Sequence, residues 1–151
     1  MQREQAEKLV QLFFQTAPPF RRNYIRPAER PEGAPHLPRL PHHHLFCLLI
    51  LQKNGQTNMS ALAERLGVSG QQCTRIVSEL VGGGLAERSA DEKNRRIVCV
   101  SVTDKGKELL SQLYRHACEH IGKQLAALSD EDADELIAHL SGIIKILDKL
   151  E

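Results

Sequence analysis

The chain has 151 residues, with 20 Lys or Arg against 19 Asp or Glu and a formal net charge of +1, so any nucleic-acid contact must rest on a local basic patch rather than on overall charge. Tryptophan is absent and aromatic residues make up only 4%, which argues against binding single strands or RNA by base stacking. No apolar run reaches the roughly 18 residues of a membrane span and the polar N-terminus is not a signal peptide, so we expect a cytoplasmic protein with no membrane partner.

The first predicted element is an amphipathic helix from Arg3 to Ala17. Its apolar face consists of Leu9, Val10, Leu12, Phe13 and Phe14. Pro18 and Pro19 should end or kink it, because proline has no N–H to donate and clashes with the preceding turn. All prolines lie between Pro18 and Pro41, which predicts an extended linker of polyproline character over residues 26–41. This linker is either a plain spacer or a segment that wraps a partner subunit.

A second helix is predicted from His42 to Lys53, ending at Asn54-Gly55. Its core-facing residues should be Leu45, Leu48, Leu49 and Ile50.

Two short helices follow, and their signals are specific. Met59 to Leu66 carries apolar residues at helical spacing, Asn58 can cap its N-terminus, and Gly67 can end it. Ser69 should cap the next helix, from Gly70 to about Val81. That helix should bury Ile76, Val77 and Leu80 and expose a polar face of Gln71, Gln72, Thr74, Arg75 and Ser78. The arrangement is typical of a DNA-reading helix-turn-helix.

A two-stranded wing is predicted after this helix. Three glycines, residues 82–84, stop the helix, and Leu85 to Arg88 forms a short strand. A charged tip from Ala90 to Arg96 leads into a second strand that ends at Val102. Lys93, Arg95 and Arg96 at the tip suit insertion beside phosphates.

Two long helices complete the chain. Thr103 should cap a helix from Asp104 to about Ala127, and Ser129 should cap the last one, with acidic residues in its first turn. The first has an apolar stripe of Leu109, Leu110, Leu113, Ala117, Ile121, Leu125 and Leu128. The last has an a/d seam of Leu136, Leu140, Ile143, Leu147 and Leu150, widened by Ile137 and Ile144. This is more apolar surface than a small winged helix covers, so the helices either pack within the chain or form a dimer interface.

The continuous motif block resembles the MarR family of transcriptional regulators. The matching residues are LAERLGVS from Leu62 to Ser69, Leu80 with Gly84-Leu85, the wing residues Asp91 and Asn94-Arg95-Arg96, and VTDKG from Val102 to Gly106. The resemblance implies a mainly α fold with a small β wing. It implies a single domain over residues 1–151, with a winged helix-turn-helix at 42–103 and a helical dimerisation lobe from about 1–25 and 104–151. The long proline-rich segment between them departs from the family, which joins these helices more compactly.

The resemblance implies a homodimer that binds double-stranded DNA at a pseudo-palindromic operator, as a repressor released by a small effector. Gln71 and Gln72 can pair with adenine and Arg75 with guanine, although each glutamine is alternatively a solvated surface residue. Thr74 suits a thymine methyl group or a phosphate, and the N-terminus at Ser69-Gly70 suits a phosphate. The candidate DNA-binding residues are Ser69, Gly70, Gln71, Gln72, Thr74, Arg75, Ser78, Lys93, Asn94, Arg95 and Arg96. Arg96 either contacts DNA or pairs with Asp91 across the hairpin, a habit of the family that would make Asp91 a wing-stiffening residue.

The effector is not specified by the residues. The family commonly binds small acids in a crevice that Phe14, Tyr24 and His44 would line here. Zinc ligands would have to come from His116, His120, His44 and Cys47, which do not match the zinc-responsive members position by position. The reactive cysteine that the peroxide sensors of the family carry near their first helix is absent. We therefore expect no cofactor, no stoichiometric zinc and no thiol switch, with a zinc- or thiol-responsive regulator of the same fold as the alternative.

Enzyme function is not indicated. The sequence contains no GxGxxG, P-loop, HExxH or GxSxG motif, and no cysteine–histidine pair is marked as nucleophile and base. A winged-helix protein that mediates only protein–protein contacts is the remaining alternative, because a fold does not fix a function.

Overall fold

The computed structural model describes residues 3–91 and 94–149, with the side chain of Gln124 left out. Lys93 and Leu150 of the predicted wing and seam lie outside the described residues. The chain forms two compact units, Met1–Ala117 and Cys118–Glu151. Its helices are α1 (Arg3–Phe20), α2 (Arg26–Glu29), α3 (His42–Asn54), α4 (Met59–Leu66), α5 (Gly70–Gly82), α6 (Asp104–Leu125) and α7 (Asp130–Leu147). Its strands are β1 (Thr57–Asn58), β2 (Ala86–Ala90) and β3 (Val98–Val102). The fold is mainly α with a small antiparallel sheet, as predicted.

The helix ends follow from local side-chain chemistry. Four predicted cap residues each accept a hydrogen bond from a backbone N–H three residues further on, which satisfies a donor that has no partner inside the helix. The pairs are Asn58 with Ala61, Ser69 with Gln72, Thr103 with Gly106, and Ser129 with Asp132. Gly67 ends α4 in the left-handed conformation, with a φ of 65°. These predictions are confirmed.

The first helix does not end at Pro18 and Pro19, so that part of the prediction is wrong, while a kink at these residues stays a prediction. Both prolines lie inside α1, and a π-helical turn from Arg21 to Ile25 then leads directly into α2. The prolines leave nearby carbonyl groups without intrahelical donors, but this part of α1 is exposed, so water can satisfy them. The wider π-type turn directly after them belongs to the adjustments that let a helix continue past such an interruption.

The segment predicted as an extended linker, residues 26–41, packs on the core instead. It begins as α2 and continues as turns held by backbone hydrogen bonds, including one of 3.1 Å from Leu40 N–H to the Glu29 carbonyl. Ala34, Leu37 and Leu40 are all buried in the main core. The residues between Glu29 and His42 form turns and bends and no helix. Ala34, Leu37 and Leu40 are apolar residues at every third position, a spacing that indicates one buried side of this segment.

Helix α3 has the predicted bounds but a different inner face. Leu45, Cys47, Leu48 and Leu51 are buried, whereas Leu49, predicted to face the core, is exposed. The helix is apolar almost all round, so its periodicity did not identify the buried side.

The predicted two-stranded wing is part of a three-stranded sheet of order β1-β3-β2. The central strand β3 pairs with β2 from Val98–Ala90 to Val102–Ala86, and Thr57 and Asn58 of β1 pair with Val100 and Cys99. A two-residue strand has too little pattern to be predicted from sequence. It matters because it fixes the base of the wing to the start of α4.

The turn after α5 is tied to the beginning of α6. Leu85 accepts a hydrogen bond from Thr103 N–H (3.1 Å), and the Thr103 hydroxyl donates to the Gly84 carbonyl (2.7 Å). Lys105 Nζ donates to the Gly83 carbonyl at 2.8 Å. Three backbone carbonyls of the turn after α5 thus accept hydrogen bonds from the start of α6, which leaves little freedom at this junction.

The main core lies in the first unit, where side chains from α3, α4, α5, the sheet and α6 meet. Its largest fully buried members are Leu48, Leu51, Leu62, Leu80, Leu113, Val77 and Val100. Within the described residues, no helix has the length and apolar content required to cross a membrane.

Candidate nucleic-acid interface

Helix α5 separates apolar from polar side chains as predicted. Cys73, Ile76, Val77 and Leu80 are buried against the core. Its exposed side carries Gln71, Gln72, Thr74, Arg75 and Ser78. The first turn is exposed as well. Ser69 Oγ already accepts the Gln72 N–H, so the N–H groups of Gly70 and Gln71 are the candidates for a phosphate.

Two hydroxyl groups on this face are already engaged within the helix. Thr74 Oγ1 donates to the Gly70 carbonyl (2.9 Å), and Ser78 Oγ donates to the Thr74 carbonyl (2.7 Å). Their oxygens can still accept hydrogen bonds, but donation to a phosphate would first require breaking these bonds. Contact of Thr74 with a thymine methyl group or with a phosphate stays a prediction.

Arg88 is a candidate that the sequence interpretation missed. It extends from β2 to the polar face of α5, where its Nη2 donates to Ser78 Oγ at 2.7 Å and lies 3.5 Å from the Thr74 carbonyl oxygen. Arg88 follows the buried Ala86 by two residues, and side chains two apart in a strand share a face. This alternation could have placed Arg88 on the same face of the strand as Ala86. The contact places a cation beside the exposed polar face of α5 and links the wing to that helix.

The wing tip is built from two polar side chains bonded to the backbone. Asp91 Oδ1 accepts from Asn94 N–H at 2.8 Å, and Asn94 Oδ1 accepts from Arg96 N–H at 3.2 Å. Arg95 and Arg96 are exposed at this tip. Asp91 thus organises the turn through the backbone, while its proposed ion pair with Arg96 and the contacts of Lys93 remain predictions.

The three residues predicted to line an effector crevice have different surroundings. Phe14 is 78% exposed on α1, whereas the Tyr24 ring is partly buried, with its centroid 5.0 Å from that of Phe20. The side chain of His44 is largely buried and hydrogen-bonded to Glu79. A cavity of about 300 Å³ lies between α3 and α6 instead. Its lining residues are Gln52, Leu110, Ser111, Tyr114 and Arg115.

The surroundings of the His, Cys, Asp and Glu side chains bear on the zinc and thiol alternatives. In residues 3–91 and 94–149, no group of three or more His, Cys, Asp or Glu side chains is placed to hold a metal ion. Burial, followed by the neighbouring Cys73, raises the pKa of the Cys47 thiol from 9.0 to about 12. Burial also raises the pKa of Cys73 and of Cys99. Such thiols keep their protons near neutral pH and are poor nucleophiles.

We expect one cysteine per native chain to react rapidly with a thiol reagent near neutral pH, because Cys118 is exposed and the other three are buried. All four should react after denaturation. Titration with a chromogenic disulfide reagent, beside gel shifts with peroxide and with EDTA, checks this expectation. Rapid native reaction of Cys73, or loss of DNA binding on adding either agent, would support a thiol- or zinc-responsive regulator.

Comparison with known proteins identifies a matching family model and relatives named as transcriptional regulators. The MarR family model matches residues 40–98, which span α3 to the beginning of β3. The transcriptional repressor MprA of Escherichia coli (strain K12) is 33% identical over 112 residues, covering 71% of this chain and 62% of that protein. The uncharacterized HTH-type transcriptional regulator YfiV of Bacillus subtilis is 29% identical over 101 residues, or 67% of this chain and 63% of its own length. The chain thus spans about three fifths of the curated relatives it matches.

A solved structure extends the likeness over the whole chain. The transcriptional regulator BldR from Sulfolobus solfataricus superposes with a TM-score of 0.67 and 26% identity, covering 99% of both chains. The relatives are named as transcriptional regulators and not as enzymes. The winged helix-turn-helix, the matching family model and these relatives together show that the chain belongs to the MarR family.

Proposed function

We propose that this protein is a cytoplasmic transcriptional regulator that binds double-stranded DNA sequence-specifically, as a homodimer on a pseudo-palindromic operator. The observation that carries the proposal is the exposed polar face of α5, with its accessible N-terminal turn and the adjacent Arg88. A helix of this kind fits the major groove, where glutamine and arginine distinguish bases by bidentate hydrogen bonds.

The homodimer is supported by apolar side chains that a single chain leaves uncovered. On α1, Leu9, Val10, Leu12, Phe13 and Phe14 are exposed. On α7, Ile137, Ile143, Ile144, Ile146 and Leu147 are exposed. Soluble proteins seldom leave contiguous apolar surfaces of this kind uncovered, so each is a candidate for contact with a second copy. Dimerisation would also supply two recognition helices for the two halves of an operator.

Repression and release by a small effector complete the proposal. MprA, a relative, is named a transcriptional repressor. The cavity between α3 and α6 is at the lower end of the size range of small-molecule sites, and the side chains of Arg115 and Tyr114 give it polar groups. An organic anion is the ligand class that such a lining favours.

The proposal is tested by a gel shift on the DNA directly upstream of the protein's own gene, with a scrambled duplex of equal length as control. Retention of the upstream duplex at salt concentrations that release the scrambled duplex supports sequence-specific binding. Equal binding of both duplexes would show DNA binding without sequence specificity and would contradict the proposal. Binding of neither duplex would favour a winged helix that mediates protein–protein contacts.

We expect Arg75→Ala to weaken specific binding by about 1–3 kcal/mol and to relax preference at one base position. Arg75 is exposed on the polar face, where its guanidinium can pair with guanine. Titrations on matched and mismatched duplexes measure the loss. Arg39→Ala removes the same charge from another exposed position and serves as the control. Unchanged affinity of Arg75→Ala for both duplexes would refute the assignment.

Arg95→Ala and Lys93→Ala should weaken binding to all sequences alike and reduce the salt slope by about one unit each. Arg95 is exposed at the wing tip, where contacts to phosphate carry no sequence information. Titrations at several salt concentrations on two unrelated duplexes separate the effects. Selective loss of a single base preference would identify direct readout and contradict this expectation.

A further inference from the structure

Three side chains form a continuous contact from α3 to the exposed face of α5. His44 Nε2 lies 2.8 Å from Glu79 Oε2, and Arg75 Nε lies 2.9 Å from Glu79 Oε1. The exposed fraction of the side chain rises from 13% at His44 to 47% at Glu79 and 82% at Arg75. The contact thus connects a largely buried residue of the scaffold to the arginine at the recognition surface.

The donor and the acceptor of each hydrogen bond along this contact follow from the groups involved. The hydrogen bonds from Arg75 and then His44 lower the pKa of Glu79, so its carboxylate is ionised and accepts both bonds. His44 Nε2 must therefore carry a hydrogen. His44 Nδ1 is buried and has no hydrogen-bond partner within the described residues.

The bond to Glu79 selects which edge of Arg75 remains for DNA. It uses Nε, and among the described residues no contact engages Nη1 or Nη2. Those two groups form the edge of the guanidinium that pairs bidentately with O6 and N7 of guanine. An exposed ion pair between residues four apart is weak by itself. Here the second carboxylate oxygen is held by His44, so Glu79 is anchored at a fixed position.

We propose that Glu79, anchored by His44, is a positioning residue for specificity, which orients the Arg75 guanidinium so that Nη1 and Nη2 face a guanine. The inference rests on the proposed function. It explains why an acidic residue lies on a surface that approaches phosphates: its charge weakens non-specific binding, while its geometry favours the one base that Arg75 reads. Specificity is a difference between two affinities, and Glu79 contributes to both.

The test uses the full-length protein and the duplex that the wild type selects from a random pool, with a second duplex in which the guanine assigned to Arg75 is replaced. For Glu79→Gln, we expect discrimination between the duplexes to fall about tenfold. Its affinity for the mismatched duplex should rise, because a negative charge is removed. A merely structural defect would weaken binding to both duplexes.

His44 variants separate anchoring from charge. His44→Ala should reduce discrimination with little change in affinity for the mismatched duplex. His44→Gln should restore much of it, since a glutamine amide can donate from a position near that of Nε2. Glu64→Gln removes an exposed carboxylate from α4, and this control should leave discrimination unchanged.

The closing measurement is a double-mutant cycle with Arg75→Ala. Glu79→Gln should cost no further discrimination when Arg75 is already absent, because Glu79 acts through Arg75. Full discrimination by Glu79→Gln, or additive losses in the double variant, would overturn the positioning role. If the wild type itself selects no duplex, the proposed function fails, and the inference fails with it.

Discussion

A chain truncated after Leu128 is expected to lose dimerisation completely and to precipitate or unfold. The truncation removes α7, whose exposed face contains Ile137, Ile143, Ile144, Ile146 and Leu147. These side chains lie at helical spacing and are not covered within the chain, so a second copy is the partner that we propose for them. If the folded chain is stabilised by association with a second copy, losing the dimer also lowers its free energy of unfolding.

Light scattering coupled to size exclusion measures the expected change. Ile144→Asp is a milder form of the same test, because it places a charge on the apolar face without removing the helix. Lys145→Asp changes the neighbouring exposed position and should leave the dimer intact. A truncated chain that remains soluble, dimeric and as heat-stable as the full chain would contradict the proposed interface.

Gly106→Ala should destabilise the first unit by about 3 kcal/mol, the upper end of the usual cost of overpacking. A Cβ at this buried position would collide with the Leu85 carbonyl oxygen and lie 2.7 Å from Val102 Cγ2. The Leu85 carbonyl cannot move aside easily, because it already accepts the Thr103 N–H. The added methyl group would therefore push α6 away from the turn after α5.

Thermal unfolding followed by circular dichroism measures this loss, which corresponds to a fall in Tm of roughly 6–12 °C. Gly82→Ala is the matched control, because a Cβ there meets no atom within 4 Å. It should leave the Tm unchanged or raise it slightly, since alanine favours a helix over glycine. Equal melting of Gly106→Ala and the wild type would show that the junction can adjust.

The parts of the fold that depend on neighbouring residues were predictable. Asn58, Ser69, Thr103 and Ser129 were each identified as helix caps, and each accepts the expected backbone hydrogen bond. A cap is decided by the conformations of three or four consecutive residues, so the sequence contains all of the relevant information.

The errors concern segments whose structure depends on distant partners. The prolines of residues 26–41 predict an extended linker, but Leu37 and Leu40 are buried in the core and hold this segment against it. Strand β1 exists because β3 provides a partner for Thr57 and Asn58. In both cases tertiary contacts outweighed local composition.

The candidate site divides in the same way. The polar face of α5 follows from helical periodicity, and all five of its predicted members are exposed. Arg88 contacts this face from the wing. His44 contacts Glu79, although the two residues are 35 positions apart in the chain. Periodicity within one element says nothing about such contacts, because they depend on how the elements pack.

Selection of duplexes from a random pool by the full-length protein tests sequence-specific recognition most directly. The proposal predicts enrichment of a pseudo-palindrome with half-sites about one helical turn apart, containing a guanine whose preference disappears with Arg75→Ala. A pool that remains random after repeated selection, although the protein is folded, would contradict the proposal that this chain reads DNA.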